Sequence, residues 1–305
     1  MPDISLRFDK DMLVLSTPID FELKAQGFTK PGDREYVGLC EPELIEDVYN
    51  LEQVLETPVF VTATEGITRA RLAYSRFEHN ASDMARIAYE TAAPFQPQHL
   101  LAAVGPTGLP LDHTSQTSLK QSKQQYQDAV SVLTKHPFDG VYFTGFKNSY
   151  DIQCALMGAR AVYDGPIFVS LVPGYDAIMA DGRTLGAAVE MCDEYGASVI
   201  GISTDAPREL VWSWARIVRE HTSRPVMAEL VVKRLDASQF EPTDENPYPR
   251  ADDMVDVALD LAREGVQFLR AAGNATPAYT GALLAAVGGT DVRKDAIEQL
   301  TKGVQ

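Results

Sequence analysis

Eight short apolar runs, most of them followed by an amphipathic stretch, narrow what this chain can fold into more than any other feature. They are 12–16 (MLVLS), 59–64 (VFVTAT), 100–104 (LLAAV), 140–144 (GVYFT), 167–172 (IFVSLV), 199–203 (VIGIS), 226–231 (VMAELV) and 266–270 (VQFLR). Near-continuous apolar runs suit parallel strands covered on both faces, since strict alternation is expected only where one face meets water. Between them the apolar period becomes helical. Segment 42–55 carries Leu44, Ile45, Val48, Leu51, Val54 and Leu55 at helical spacing, and 82–91, 121–133, 184–195, 207–220 and 252–264 do the same. Gly265 is a predicted C-cap, and Thr276-Pro277 reads as an N-cap followed by proline at the first helical position. Helices over 277–286 and 291–302 complete the pattern. This alternation predicts a (β/α)8 TIM barrel, one domain over 1–305, a size usual for that architecture.

Charge and cysteine usage exclude several function classes. The formal charge is −16, from 43 acidic and 27 basic side chains, which opposes non-specific nucleic-acid binding and a polybasic membrane anchor. No apolar run approaches a bilayer's width and no signal-like start is visible, so the expectation is a protein of the reducing cytosol, with no nucleic-acid or membrane partner. Cys40, Cys154 and Cys192 lie far apart with no CxxC motif. Cys154 and Cys192 sit in helix-like apolar patterns and are expected to be buried thiols. The longest irregular stretches, 174–183 and 232–250, both follow strands and so belong to the C-terminal face, where barrel active sites form. The second is expected to be either an ordered lid or entrance loop, or a surface insertion without a role.

The strand ends carry a family resemblance. Met12-Leu-Val-Leu-Ser-Thr-Pro-Ile-Asp-Phe-Glu-Leu23 followed by Gly27, Pro42-Glu-Leu-Ile-Glu-Asp-Val48 and Thr62-Ala-Thr-Glu-Gly-Ile-Thr-Arg-Ala-Arg-Leu-Ala73 resemble homocysteine S-methyltransferases. The corresponding family patterns are Leu-Asp-Gly-x-Met-Gly-Thr-Glu-Leu, Pro-Glu-x-Val and Thr-Asn-Thr-Phe-x-x-x-x-x-Arg-Leu. Val104-Gly-Pro-Thr-Gly108, Asp181-Gly-Arg-Thr-Leu185 and Ala271-Ala-Gly-Asn-Ala-Thr-Pro277 continue the match across essentially the whole chain, although Tyr126 and Ala129 fit the family's Tyr-x-x-Gln poorly.

The departures bear on chemistry. In that family, three cysteine thiolates hold a zinc ion that keeps homocysteine sulfur nucleophilic. The family's Gly-x-Asn-Cys after strand six is here Gly201-Ile-Ser-Thr-Asp205, which puts Ser203 or Thr204 at the ligand position. The adjacent cysteine pair after strand eight falls on Ala272 and Gly273. The family's Glu-Thr after strand four becomes Thr144-Gly145, and its opening Asp-Gly becomes Ser16-Thr17. Hydroxyls and small side chains do not replace thiolates as soft ligands, so no protein-bound zinc is expected.

The rim has a polar set of its own: Asp20, Glu65, His113, Asp205, Glu229, Arg270 and Asn274. Glu65 and Glu229 are the candidate catalytic carboxylates; Asp20, His113, Tyr175, Asp205, Arg270 and Asn274 are candidate substrate-binding residues. Glu65 stands where the family keeps an aromatic, and a carboxylate in a barrel mouth suits a general base or a cation-binding group. The competing reading is a solvated loop side chain. Glu229 and Arg270 lie inside strands, where unpaired charge is costly, so a contact between them is expected, functional or purely structural, the alternative being that one of the two faces outward. Asp205, before Ala206-Pro207, is read first as a helix N-cap. His113 is the one histidine placed near the mouth; His79, His99, His136 and His221 read as helix or helix-end residues. Tyr175, Asp176 and Tyr248 are placed to wall a pocket, or else to pack beneath their loops.

The resemblance implies a divergent, zinc-independent methyltransferase acting on a small methylated compound, with delivery of the methyl group to a corrinoid on a separate protein as one route. A non-catalytic barrel that binds a small molecule or a partner protein is the main alternative, followed by a zinc-free lyase or hydrolase.

Overall fold

The computed structural model describes residues 3–292. Eight strands, β1 (Leu13–Leu15), β2 (Val59–Val61), β3 (His99–Val104), β4 (Gly140–Phe146), β5 (Ile167–Leu171), β6 (Val199–Thr204), β7 (Val226–Val232) and β8 (Val266–Gly273), close into a barrel in sequence order. Every neighbouring pair is parallel, including β8 with β1. The predicted fold is the observed one. Among the described residues no helix is long and apolar enough to cross a membrane.

The surrounding helices are α1 (Asp20–Ala25), α2 (Asp33–Cys40), α3 (Glu43–Val54), α4 (Arg69–Leu72), α5 (Ala81–Ala92), α6 (Gln116–Leu133), α7 (Ser149–Arg160), α8 (Leu185–Glu194), α9 (Arg208–His221), α10 (Val255–Arg263) and α11 (Pro277–Val287). Periodicity alone leaves out α1, α2, α4 and α7 and begins α6 five residues late. Side-chain capping explains two of these starts. Asn148 Oδ1 accepts from the Tyr150 and Asp151 amides at the head of α7, and Ser115 Oγ accepts from Ser118 at the head of α6. Gly265 ends α10 with φ +76°, as expected of a left-handed cap. The expected helix over 291–302 lies almost wholly outside the described residues; Asp291 itself bridges antiparallel to Asp11. His99 is not at a helix end: it opens β3 and is fully buried.

Strand side chains alternate between barrel interior and helix layer. Leu13, Leu15, Val59, Val61, Leu101, Ala103, Tyr142, Phe168, Val199, Met227 and Phe268 form the inner core, which Ile4 and Phe8 close from below. Phe8 meets Phe168 and Phe268 edge-on at 6.1 and 6.0 Å. Gly201 lies in this interior because a Cβ there would fall 1.9 Å from the Met227 carbonyl oxygen, so only glycine lets β6 and β7 approach this closely.

Candidate active site

Two residues above the apolar core, the same alternation points a second set of side chains inward. Tyr142 leads to Thr144, Phe168 to Ser170, Val199 and Gly201 to Ser203, Met227 to Glu229, and Phe268 to Arg270. The barrel therefore changes from an apolar to a polar interior toward its C-terminal face. Above that layer opens a cavity of about 400 Å³, lined among others by Asp20, Arg34, Glu65, Thr144, Gly145, Glu229, Arg270, Ala272 and Gly273.

The polar layer is tied together around Glu229, which is 3% exposed. Glu229 and Arg270 are register partners on β7 and β8, and Arg270 Nη1 donates to Glu229 Oε2 at 3.0 Å. The same oxygen accepts from the Tyr142 hydroxyl at 2.8 Å, while Oε1 accepts from Ser203 Oγ at 2.6 Å and lies 3.4 Å from Thr144 Oγ1. Arg270 Nε donates to the Ser16 carbonyl at 3.0 Å, and the Tyr142 ring centroid is 5.5 Å from the guanidinium carbon. Burial alone would lower the Arg270 pKa; the charge of Glu229, helped by Tyr142 and Glu65, holds it above the ordinary arginine value. The expected Glu229–Arg270 contact is present. With donors on both oxygens, Glu229 is built to hold Arg270 and the hydroxyls in place.

A second ion-pair group closes the rim. Arg34, at the start of α2, sets one guanidinium nitrogen against Asp20 of α1 and the other 2.9 Å from Glu65 Oε2. Burial opposes its charge, yet Glu65 and Asp20 together raise its pKa. The Glu65 backbone is fixed independently, its carbonyl accepting from Gly105 at 2.7 Å. Next to Arg34, the buried Glu35 pairs with Arg71 at 3.2 Å, in space that exists only because residue 66 is glycine: a Cβ there would lie 1.7 Å from Glu35 Oε1. Behind β1, buried Glu52 takes hydrogen bonds from the Thr17 amide and from the hydroxyls of Thr17, Thr57 and Thr280. Desolvation raises its pKa while those donors limit the rise. Glu52 thus anchors the turn whose Ser16 carbonyl receives Arg270.

Of the predicted site residues, the structure brings Asp20, Glu65, Glu229 and Arg270 to one cavity. The others go elsewhere. His113 is exposed and stacks on Tyr150 of α7 at 4.6 Å, outside the cavity lining. Tyr175, Asp205 and Lys233 form a separate cluster on the rim above β5–β7: the Tyr175 hydroxyl lies 3.1 Å from Asp205 Oδ1, and Lys233 Nζ lies 2.8 Å from that hydroxyl and 3.3 Å from Asp205 Oδ2. Asp205 is therefore not the N-cap of α9. The cap is Pro207 with no side-chain hydrogen bond, because the turn stabilised by Ala206 N–H to Thr204 Oγ1 leaves Asp205 two residues short. Asn274 latches loops together, taking Lys24 Nζ at 2.6 Å and donating to the Lys233 carbonyl. Tyr248 is packed beneath its loop, with its hydroxyl donating to the Ala206 carbonyl. The 232–250 loop folds down against α9 and α10 and lines a separate outer cleft, so it is no lid on the cavity.

The residue that sequence reasoning missed is Arg34. Its signal was the charged run Asp33-Arg34-Glu35 directly after Pro31-Gly32, between the first strand and the first predicted helix. Cys40 is exposed at the end of α2, while Cys154 and Cys192 are buried in the helix ring, where desolvation pushes both thiols up.

Comparison with known proteins agrees with the fold. The homocysteine S-methyltransferase family model matches residues 21–289. The homocysteine methyltransferase MmuM from Escherichia coli is similar in its metallated form with a TM-score of 0.72 and 18% identity, over 90% of this chain and 96% of that one. Its oxidized form gives 0.73 and 17% over the same shares. The carboxyl transferase domain of Rhizobium etli pyruvate carboxylase with pyruvate is a more distant likeness, with a TM-score of 0.55 and 12% identity over 94% of this chain and 45% of that one. At these identities the structural likeness concerns the barrel alone. No curated protein sequence matches the chain. The family match, which spans all the strand ends described above except that of β1, settles the relationship: this chain belongs to the homocysteine S-methyltransferase family.

Proposed function

We propose that this barrel transfers a methyl group without a protein-bound zinc ion, acting on a small methylated compound held in the cavity above Glu229 and Arg270. One observation carries the reading. Where the family resemblance leads one to expect thiolates, Ser203 has its hydroxyl committed to Glu229, and Ala272 and Gly273 offer no side-chain donor. Thr204 adds only another hydroxyl. Among the described residues no three histidine, cysteine, aspartate or glutamate side chains are grouped to hold a metal ion. This donor set does not fit a soft zinc–thiolate centre.

Without zinc to hold a thiol as thiolate, the acceptor must already be nucleophilic. The reduced cobalt of a corrinoid on a separate protein meets that requirement. In such a transfer the corrinoid would supply the electron pair for the new bond to carbon, and the heteroatom would keep the pair of the bond that breaks, so that a sulfonium leaves as a neutral sulfide and an amine or ether leaves only once it is protonated. The barrel then contributes positioning, exclusion of water and a charge partner. Glu65, held at the rim by Arg34, is the carboxylate assigned to the reacting end of the substrate, and Glu229 fixes Arg270.

The test is a panel of methylated amines, sulfonium compounds and ethers incubated with the purified protein and reduced cobalamin, with methylation followed by absorbance. We expect turnover, a drop of about a hundredfold in kcat for Glu65→Gln, and no zinc in the purified protein. Stoichiometric zinc would overturn the zinc-independent reading. Ligands that stabilise the protein with no turnover on any of them would replace an enzyme with a binding protein.

A further inference from the structure

We infer that Glu52, which does not line the cavity, is the positioning residue of Arg270, and that its charge acts on the guanidinium through the single peptide group joining Ser16 to Thr17. The consequence for turnover rests on the function proposed above, whereas the link between the two side chains does not.

Arg270 and Glu52 hold opposite ends of one peptide. Arg270 Nε donates to the Ser16 carbonyl at 3.0 Å, and the Thr17 amide of the same peptide donates to Glu52 Oε1 at 2.9 Å. A trans peptide is planar, with C=O and N–H pointing in opposite directions, so neither end turns without the other. The negative end of the peptide dipole meets the cation and the positive end meets the anion. The group is therefore polarised from both sides, and each hydrogen bond strengthens the other. Water does not compete, because Ser16, Thr17 and Glu52 are all buried. The strand fixes the position of this peptide: the Ser16 amide donates to the Val59 carbonyl at 2.9 Å, and Ser16 Oγ accepts from the Val61 amide at 2.9 Å. Its polarisation is left to Glu52.

The other contacts of Glu52 make the link depend on charge. Thr17 Oγ1 and Thr280 Oγ1 donate to the same Oε1 at 2.8 and 3.0 Å, and Thr57 Oγ1 donates to Oε2 at 2.7 Å. Four donors on one carboxyl group suit the ionised form, which only accepts. Among the described residues no basic side chain touches it; its titratable neighbour is Tyr49, on the same helix, and Arg270 lies beyond the peptide. Burial raises the Glu52 pKa above 4.5 in spite of those donors. Below pH 4.5 the carboxyl carries its proton both folded and unfolded. As pH rises, the unfolded chain ionises first and stability declines, until the folded carboxyl ionises and the loss levels off. A charge kept where it lowers stability serves something other than stability. Apart from three hydroxyls, what this charge touches is the peptide that holds Arg270.

The test follows the proton resonances of Arg270 Nε–H and of the Thr17 amide in the full chain as pH is lowered from neutrality. Both should move upfield in one step with a common midpoint above 4.5, because a protonated Glu52 polarises the peptide less. In Glu52→Gln, which keeps the shape and removes the charge, both should stand upfield at every pH. Thr280→Val takes one donor from the carboxylate and leaves its charge, so the common midpoint should rise further. A Thr17 amide that titrates while Arg270 stays still would reduce Glu52 to a cap on the turn after β1 and overturn the link. An Arg270 step that survives in Glu52→Gln would trace it to Glu229 and overturn the link as well. The wild-type titration decides the matter even if Glu52→Gln does not fold. For a methylated compound that the protein turns over, Glu52→Gln should lower kcat about tenfold and remove the acid limb that follows the Glu52 titration. A wild-type kcat and pH profile would overturn that role. Joint titration in a protein that transfers no methyl group keeps the link and removes the methyltransferase. Turnover with an Arg270 resonance indifferent to Glu52 keeps the methyltransferase and removes the link.

Discussion

Two arginine–carboxylate groups face the same cavity, and they are built from different material. Arg270 and Glu229 stand on adjacent barrel strands in direct register, and their side chains are 2% and 5% exposed. Arg34, Asp20 and Glu65 come from α2, α1 and the turn after β2, and their side chains are 21%, 29% and 13% exposed. The first group is placed by the backbone hydrogen bonds of the sheet and has donors on both carboxylate oxygens. The second is held by its own ion pairs and by the short segments that carry them. Depth and backbone support therefore divide the labour: the floor is a rigid scaffold, and the rim is the part that can respond to a ligand.

Breaking the floor should have the largest effect. Glu229→Ala or Arg270→Met removes one partner of a buried pair, and about 3–5 kcal/mol of unfolding free energy should be lost, measured by urea denaturation. Combining Arg270→Met with Glu229→Gln should cost much less than the sum of the single losses. Strict additivity would show that the two groups do not act as a pair.

The lower end of the barrel offers a second contrast, because its buried ionisable group has no counter-charge in contact. His99 is fully buried, and neither ring nitrogen has a hydrogen-bond partner among the described residues. Desolvation, with Arg7 nearby and Asp11 opposing, lowers its pKa from 6.5 to about 4. Above pH 6.5 the imidazole is neutral both folded and unfolded, and its contribution to stability is complete. As pH falls from 6.5 toward 4 the unfolded chain takes up a proton that the folded chain refuses, so stability declines by up to about 3 kcal/mol. Below pH 4 this loss levels off. His99→Leu should flatten that part of a stability–pH curve, and an unchanged curve would remove His99 from the account.

The rim should give the smallest change in stability. Arg34→Gln is expected to cost about 1 kcal/mol or less, because partly exposed pairs are screened by water and ions. That loss should shrink at high salt, whereas the loss for Arg270→Met should not. Turnover should show the opposite ranking relative to stability: Arg34→Gln should lower kcat well beyond its effect on folding if Glu65 needs its partner for orientation. An Arg34→Gln protein with wild-type kcat would reduce the rim to a surface ion pair.

Much of this was legible in advance for physical reasons that can be named. Parallel strands buried on both faces write themselves as apolar runs, so the barrel could be read directly. The Glu229–Arg270 contact was legible because charges inside such runs must find one another. The helix α7 escaped because its apolar face is diluted by Ser149, Asp151, Gln153 and Gly158, and its start depends on a cap at Asn148 that periodicity does not register. Asp205 was misassigned as a cap because a proline two residues on looks like a helix start, while the carboxylate was in fact drawn to Lys233, 28 positions further along the chain.

The sequence by itself determined the barrel and the presence of charged Glu229 and Arg270 within its strands, since these follow from residue type and the run of apolar neighbours. Only the tertiary structure decided which polar residues share a cavity. Arg34 meets Asp20 and Glu65, while His113 turns aside to Tyr150 and Asn274 latches two loops. Strand residues inherit their direction from the sheet, whereas loop and helix-end residues take theirs from partners far away in sequence, and local pattern does not encode those partners.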